Sequence, residues 1–566
     1  MFGRSWHTLV PSIKLDNRAI RRVATINHNS FSRSKPPTRF GFGFGYIYPT
    51  FVFVAGAGTI YIIDKEYKSN LVTRSARALY VLLWIAYAYG YDSQSYENID
   101  DLHEIASERL LQTLVRNKGL YIKLGQAIAN QGSLFPQAYQ KRFPQLYDEA
   151  PSQPWDKVDQ VLKQNLGLDY EAKYFDWIDR VPKASASIAQ VHRAKLKKDL
   201  GSAEVALKVQ HYYIDNQIAV DLWVYRFISS VYERVFDVPL KMFTSYVSEQ
   251  MIKETDFVNE MNNSMYTQHL IDRDPLLQNE NIKIPKNYPQ LTTRQVLPAE
   301  WIDGIALTDK EVLINSGYDV KLIMTQYIKL LGRQIFSYGF VHSDPHPGNL
   351  LARFDEKGEQ QLVLLDHGLY ISLPSKFRLQ YCQLWKHLFT FNKEKIEEIG
   401  RDWGIQSAEI FATLVSLKPV KFDSPKKNQG GKQGDTGHED TRDVSDLLRS
   451  FIKDESMFPK ELPFLTRTMR MIQNLNQQFG SPVNRVNLLT KEAINVLLTN
   501  GKLTWIDYWD LLKVNVSLFL SGFIFRLIRV RQWITGDRYG GKQKGLEDYI
   551  EMYMQNTAKS LGMEWM

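Results

Sequence analysis

The chain has 566 residues, enough for two or more domains or for one large domain with extensions, and 44 % of them are hydrophobic, enough for a sizeable core. Its one cysteine, Cys382, excludes an intramolecular disulfide framework. The formal charge is +8, but residues 1–45 hold eight Lys or Arg against the single acid Asp16, leaving only about +1 elsewhere, which argues against a nucleic-acid surface.

Residues 1–45 (Arg4, Lys14, Arg18, Arg21, Arg22, Arg33, Lys35 and Arg39 among hydroxylated and apolar residues) read as a mitochondrial transit peptide, with a disordered basic tail as the alternative. Residues 46–63 carry no charge and have tyrosines near both ends. At about 1.5 Å per residue the segment just reaches across a bilayer as a transmembrane helix. A presequence followed by such a stop would leave the C-terminal part in the intermembrane space. Residues 76–91 are apolar but interrupted by Arg77, and read as a buried or interfacial helix. Helical periodicity then runs from residue 101 into a stretch containing Lys123-Leu124-Gly125-Gln126.

Residues 182–196 and 201–213 read as the two strands of a hairpin. Lys208, in Val-Ala-Leu-Lys, matches the strand lysine that protein kinases place against the α- and β-phosphates; a solvent-facing strand lysine is the alternative. Where kinases carry a Gly-rich loop, this chain has Ala184-Ser185-Ala186-Ser187, and alanine lacks the positive φ that lets glycine wrap phosphates. Residues 248–263 have helical periodicity with Ile252, Phe257 and Met261 as the expected inward positions, and they carry the acids Glu254, Asp256 and Glu260. Residues 291–307 have the strand-then-turn pattern of a connection between two lobes, bordering an adenine site.

A helix over 320–338 is expected to lead into residues 340–351, FVHSDPHPGNLL. Asp344 and Asn349 are five apart, as in the kinase loop HRDxxxxN, and Asp366 heads an Asp-His-Gly where kinases have Asp-Phe-Gly. Phosphoryl transfer needs magnesium bridging the phosphates and a carboxylate near the attacking hydroxyl. Asn349 and Asp366 offer hard oxygen ligands, which leaves Asp344 as base. A zinc site on His342, Asp344 and His346 is the competing reading, weakened by Pro345, Pro347 and the neighbouring Asn. Residues 423–443, polar and Gly-rich, read as a disordered loop. Residues 514–533 are apolar until Arg526 and Arg529, too short for a clean span, and read as a core or membrane-surface helix.

In this order, and over roughly residues 75–400, these motifs resemble the UbiB family of atypical, protein-kinase-like proteins, also called aarF-domain-containing kinases. The basic leader and apolar segment are similar to the fungal mitochondrial inner-membrane branch of that family. The resemblance implies an α+β atypical protein-kinase-like fold: a helical N-terminal extension (75–181) bearing the KxGQ motif, a small β-rich N-lobe (182–300) and a helical C-lobe (301–566). It implies that Glu260 anchors Lys208, that Glu254 and Asp256 face Lys123 and Gln126, and that the alanine-rich loop alters nucleotide handling. Ala189 departs from the family, in which many relatives have Gly. The implied cofactors are ATP and Mg2+, and the implied role is a kinase or ATPase acting on a lipid or quinone in coenzyme Q or phospholipid homeostasis. A catalytically inactive nucleotide-binding scaffold and a soluble metallohydrolase are the alternatives.

Overall fold

The computed structural model describes residues 64, 70–96, 98–130, 136–147, 152–236, 241–390, 392–405, 458–500, 505–536, 544–549 and 552. The leader (1–45), the apolar segment 46–63 and the polar insertion 423–443 fall outside the described residues.

Three helices open the described chain: α1 (Leu71–Gly90), α2 (Ile99–Asn117) and α3 (Leu120–Asn130). The break between α2 and α3 falls at Lys118 and Gly119, both at positive φ. Ala78, Val81 and Ile85 of α1 pack with Leu110, Leu114 and Ile122 in one apolar cluster. The arginines of α1 do not interrupt it, because they point at partners: Arg74 reaches Asp221 at 2.9 Å and Arg77 reaches Asn117 at 2.6 Å.

The small lobe is a sheet of β1 (Phe175–Ile178), β2 (Ala184–Ser185), β3 (Ala189–Leu196), β4 (Glu204–Gln210) and β6 (Val296–Glu300), in the order β1-β3-β4-β6 with β2 on β3. The expected hairpin is β3 and β4, antiparallel with Val191 opposite Lys208. Period-two alternation puts Val205, Leu207 and Val209 on the core face, against Val158, Val161 and Leu162 of the helix Trp155–Leu166, and leaves Lys208 on the other.

Helix α4 (Ile214–Phe236) packs on α1, and α5 (Lys241–Glu254) and α6 (Phe257–Asp272) follow. The sequence reading of one continuous helix over 248–263 is corrected here. The helix stops at Thr255 and restarts at Phe257, with Asp256 Oδ1 accepting from Val258 N as its N-cap. The restart shifts the helical phase, so Phe257 and Met261 are buried as expected while Ile252 is 42 % exposed and Met251 takes the inward place.

The large lobe contains α7 (Val320–Gly332), continued by a π turn over Arg333–Tyr338, and two further sheets. One has the order β5 (Ile282–Lys283), β10 (Gln360–Leu364), β9 (Leu350–Phe354), β7 (Ile305–Ala306); the other pairs β8 (Phe340–His342) with β11 (Tyr370–Ser372). Between the lobes, β6 leads to Gly304, where an added Cβ would lie 3.1 Å from the Ala352 carbonyl and from Leu351 Cβ, a close approach that glycine eases. Helices α8 (Ser375–Thr390), α9 (Leu462–Gln478) and α10 (Arg485–Asn500) complete one core with α7 around Tyr327, Trp385, Leu465, Ile472 and Leu489.

The last long helix, α11 (Trp505–Ile534), corrects the expectation of a short apolar helix over 514–533: it has 30 residues. Its segment Tyr508–Ile534 is the one candidate among the described residues long and apolar enough to cross a membrane, by length and composition.

Candidate active site

The two lobes meet at a cleft into which five elements and two loops send charged side chains. From β4, Lys208 Nζ donates to both Glu260 oxygens, at 2.6 and 2.8 Å. Glu260 is one turn into α6, and its side chain is only 4 % exposed. On the other side, Lys208 Nζ lies 3.8 Å from Asp366 Oδ2.

From α3, Lys123 Nζ lies 2.5 Å from Glu254 Oε1 and 3.3 Å from Asp344 Oδ2. Gly125 fixes this approach: a Cβ there would lie 2.3 Å from Leu146 Cδ1 and 2.8 Å from Leu114 Cδ1, both on buried residues. The Gln126 amide donates to the Leu146 carbonyl at 3.0 Å, so it ties α3 to the segment beneath it. Glu254 thus meets Lys123, while the carboxylate of Asp256 serves as the cap of α6.

The loop after β8 is held by one imidazole. His342 Nδ1 accepts from Asp344 N at 3.1 Å, which assigns the ring proton to Nε2, and Nε2 donates to the Asp366 carbonyl at 2.9 Å. Burial keeps this ring neutral by lowering its pKa, although Asp366 and Asp344 oppose the shift. Both nitrogens are therefore engaged by the backbone, and His346 Nδ1 accepts from Gly348 N. That removes the histidines as a zinc pair, and among the described residues no group of three or more His, Cys, Asp or Glu is arranged to hold a metal ion.

Asn349 is placed beside Asp366 by its backbone, its carbonyl accepting from Leu365 N at 2.9 Å. Asp366 Oδ1 accepts from Gly368 N at 2.8 Å, and the side chain remains 36 % exposed to the cleft. Where kinases have phenylalanine, His367 is buried and bonded to Tyr370 Oη at 2.9 Å; burial pushes its pKa down to about 3, so it packs as a neutral ring. Asn263 of α6 donates to the His367 carbonyl at 3.0 Å, joining the Glu260 helix to the Asp366 turn.

Of the loop residues, Ser185 is half-buried at the end of β2, and its buried hydroxyl has no hydrogen-bond partner among the described residues. The Ala186 carbonyl bonds to His211 Nε2 at 3.0 Å, and Ser187 is buried. Ala184 is opposite Val191, which is opposite Lys208, so the loop begins on the cross-strand row that carries the lysine.

Sequence reasoning missed Arg467. It projects from α9, and its guanidinium lies 2.8 Å from Asp344 Oδ1. Asp344 is thus flanked by two cations. Burial alone would raise its carboxyl, but Arg467 and Lys123 hold it well below the usual range. Asp366 behaves alike: against the desolvation of the cleft, Lys208 and Lys123 lower it to about 2. Burial pushes Glu260 the other way, up to about 7, despite Lys208 beside it. The ammonium of Lys123 loses stability on burial, yet Glu254, Asp344 and Asp366 keep its pKa above the ordinary value. Nothing in the local sequence around Arg467 marks it, because its partner lies in a loop far back along the chain.

A model of the ABC1 atypical kinase-like domain matches residues 145–400. An ABC1 family protein of Schizosaccharomyces pombe is 35 % identical over 88 % of this chain and 94 % of its own length. An ABC1 family protein of Purpureocillium lilacinum is 33 % identical over 87 % of each. The AarF domain-containing protein kinase 1 of Xenopus laevis is 28 % identical over 75 % of this chain and 81 % of its own. A kinase-like cleft reached by a helical extension, together with full-length likeness of this degree, means that the chain belongs to the ABC1 family of atypical kinase-like proteins, the family also called UbiB or AarF-domain-containing.

Proposed function

We propose that the cleft binds Mg-ATP and that the chain is a UbiB-type atypical kinase or ATPase of mitochondria. The observation that carries this reading is the 3.8 Å approach of Lys208 Nζ to Asp366 Oδ2, a strand ammonium and a loop carboxylate brought together from opposite lobes. Charge supports it. Lys123, Lys208 and Arg467 face Glu254, Glu260, Asp344 and Asp366, and this interleaving of carboxylates with cations suits a divalent cation carried with phosphates. Magnesium takes only one or two protein carboxylates and completes its shell with water and phosphate, so the lack of a closed protein cage fits it.

Asp366 and Asn349 would hold magnesium, Lys208 would face the phosphates with Glu260 as its anchor, and the Ser185 hydroxyl at the alanine-rich loop has no hydrogen-bond partner among the described residues. When bound, the metal withdraws charge from the phosphoryl oxygens. Asp344 occupies the position from which a hydroxyl proton would be taken. Its pairing with Lys123 and Arg467 also favours a second reading, a chain that holds nucleotide without turnover, because a carboxylate so stabilised as an anion is a weak base.

The role in coenzyme Q or phospholipid homeostasis rests on the family resemblance, and mitochondrial targeting on the basic, acid-poor residues 1–45. Fractionation that places the full chain outside mitochondria would overturn the location. For the nucleotide site, the parent should melt at higher temperature with Mg-ATP than with either alone, and Asp366→Asn should abolish that increment. Equal melting of the parent with and without Mg-ATP would end both readings. A shift without hydrolysis in the presence of phospholipid or quinone would select the scaffold.

A further inference from the structure

Helix α11 turns most of its large apolar side chains outward, while its inward face mixes polar groups with the apolar Val514 and Leu518. Asp510, Val514, Leu518 and Gln532 are buried on one face. That face is bonded to the large lobe along most of its length. Lys386 meets Asp510 at 3.2 Å, Ser517 Oγ donates to the Phe389 carbonyl at 3.1 Å, Asn484 Nδ2 donates to Ser521 Oγ at 3.1 Å, and Gln532 Nε2 donates to the Gly480 carbonyl at 3.1 Å. On the opposite face Leu512, Val516, Phe519, Phe523, Leu527 and Val530 recur at three- and four-residue spacing, each more than half exposed.

A contiguous apolar stripe of this length is more than a soluble surface normally leaves uncovered. Among the described residues the exposed charges bordering it are Lys513, whose ammonium lies 3.6 Å from the buried Asp510, and Arg531 on one edge and Arg526 on the other, all basic. Trp505, Trp509 and Trp533 stand exposed near its two ends. An open groove of about 360 Å³, lined by Phe389, Trp509, Leu512, Lys513 and Val516, adjoins the same helix.

We propose that α11 is an in-plane membrane-docking helix that seats the large lobe on an anionic lipid surface. A span would require the helix to leave the lobe and surrender the inward hydrogen bonds, and would carry Arg526 and Arg531 into hydrocarbon. Lying flat, the helix keeps those bonds, buries its outer stripe at the acyl boundary, and lets the flanking basic heads reach lipid phosphates while their stems stay apolar. The charge pattern also separates lipid from a second copy of this chain: pairing two such faces would bring basic edges against basic edges. This inference does not depend on the nucleotide reading, since its test contains no nucleotide.

The test uses the full chain in vesicles of phosphatidylcholine with phosphatidylglycerol. Single cysteines at positions 512, 519, 527 and 530 are labelled with a nitroxide; Cys382 is buried and is not competed for. Each variant is first checked for the parent melting temperature. Collision with oxygen and with a water-soluble nickel complex then gives the depth of each label. In-plane docking predicts one shallow depth shared by all four labels, and a shift of all four toward water when Lys513, Arg526 and Arg531 are all replaced by Gln. A depth that deepens toward mid-helix would establish a span and overturn the proposal. Labels as water-accessible with vesicles as without them, or shielded from both reagents by a protein partner or a second copy, would overturn it too.

Discussion

Glu260 carries the sharpest electrostatic conflict in the cleft. Burial drives its carboxyl toward the neutral form, to about 7, while the ammonium of Lys208 at 2.6 Å holds it charged. A carboxyl whose folded pKa is raised above its unfolded value favours folding least above the folded pKa, so its unfavourable contribution grows between about pH 4 and about pH 7. Lys208→Met removes the cation and pushes the shift further up. The variant should lose about 3–5 kcal/mol in urea unfolding at about pH 8, and clearly less at about pH 5, where Glu260 is protonated. A deficit that does not change with pH would contradict the pairing. Lys208, Asp344, Asn349 and Asp366 were legible in the sequence because their chemistry is encoded in local spacing. Arg467 was not, because its meaning comes from a loop that only the folded lobe brings beside it. Asp256 had a visible signal of another kind, an Asp one residue before a helical run, which is a helix cap.

The elements position these residues by where they stop as much as by where they run. Between α5 and α6 a single turn directs Glu254 at Lys123 and Glu260 at Lys208, and periodicity alone, which counted one helix, could not show the change of phase. The β3–β4 hairpin was easier to read, since its alternation is local and strict. Helix α11 begins earlier than its apolar run suggested, at Trp505 rather than Val514, because the polar residues Asp507, Asp510 and Lys513 mask the start. In the fold Arg529 turns inward, toward the Gly480 carbonyl, and Arg526 stands on the flank, so the helix runs through both as expected. Helix α3 is set by Gly125. Gly125→Ala adds a methyl where Leu146 and Leu114 already touch, and should cost about 1–3 kcal/mol. Leu146→Ala in the same chain opens that space, so the double variant should recover part of what the two single changes lose separately. Simple additivity in thermal unfolding would show that Gly125 is not kept by this contact.

At the scale of the molecule, the three largest apolar clusters among the described residues, one in the helical extension, one under the small-lobe sheet and one in the large lobe, hold stiff elements around a polar seam. Lobe identities could be read from the motifs because each has its own local pattern. The approach of Lys123 to Glu254 was implied by the family resemblance, but the second cation on Asp344, Arg467, could not be read, because it joins a late helix to that loop only in the folded lobe. If the cleft holds Mg-ATP, Lys208 and Asp366 grip one ligand together, and calorimetric titration of Mg-ATP into the parent, Lys208→Met, Asp366→Asn and the double variant measures this. The parent should bind, each single change should lose about tenfold or more, and the double variant should be scarcely weaker than either. Parent-like affinity in the single variants, or losses that simply add, would contradict it.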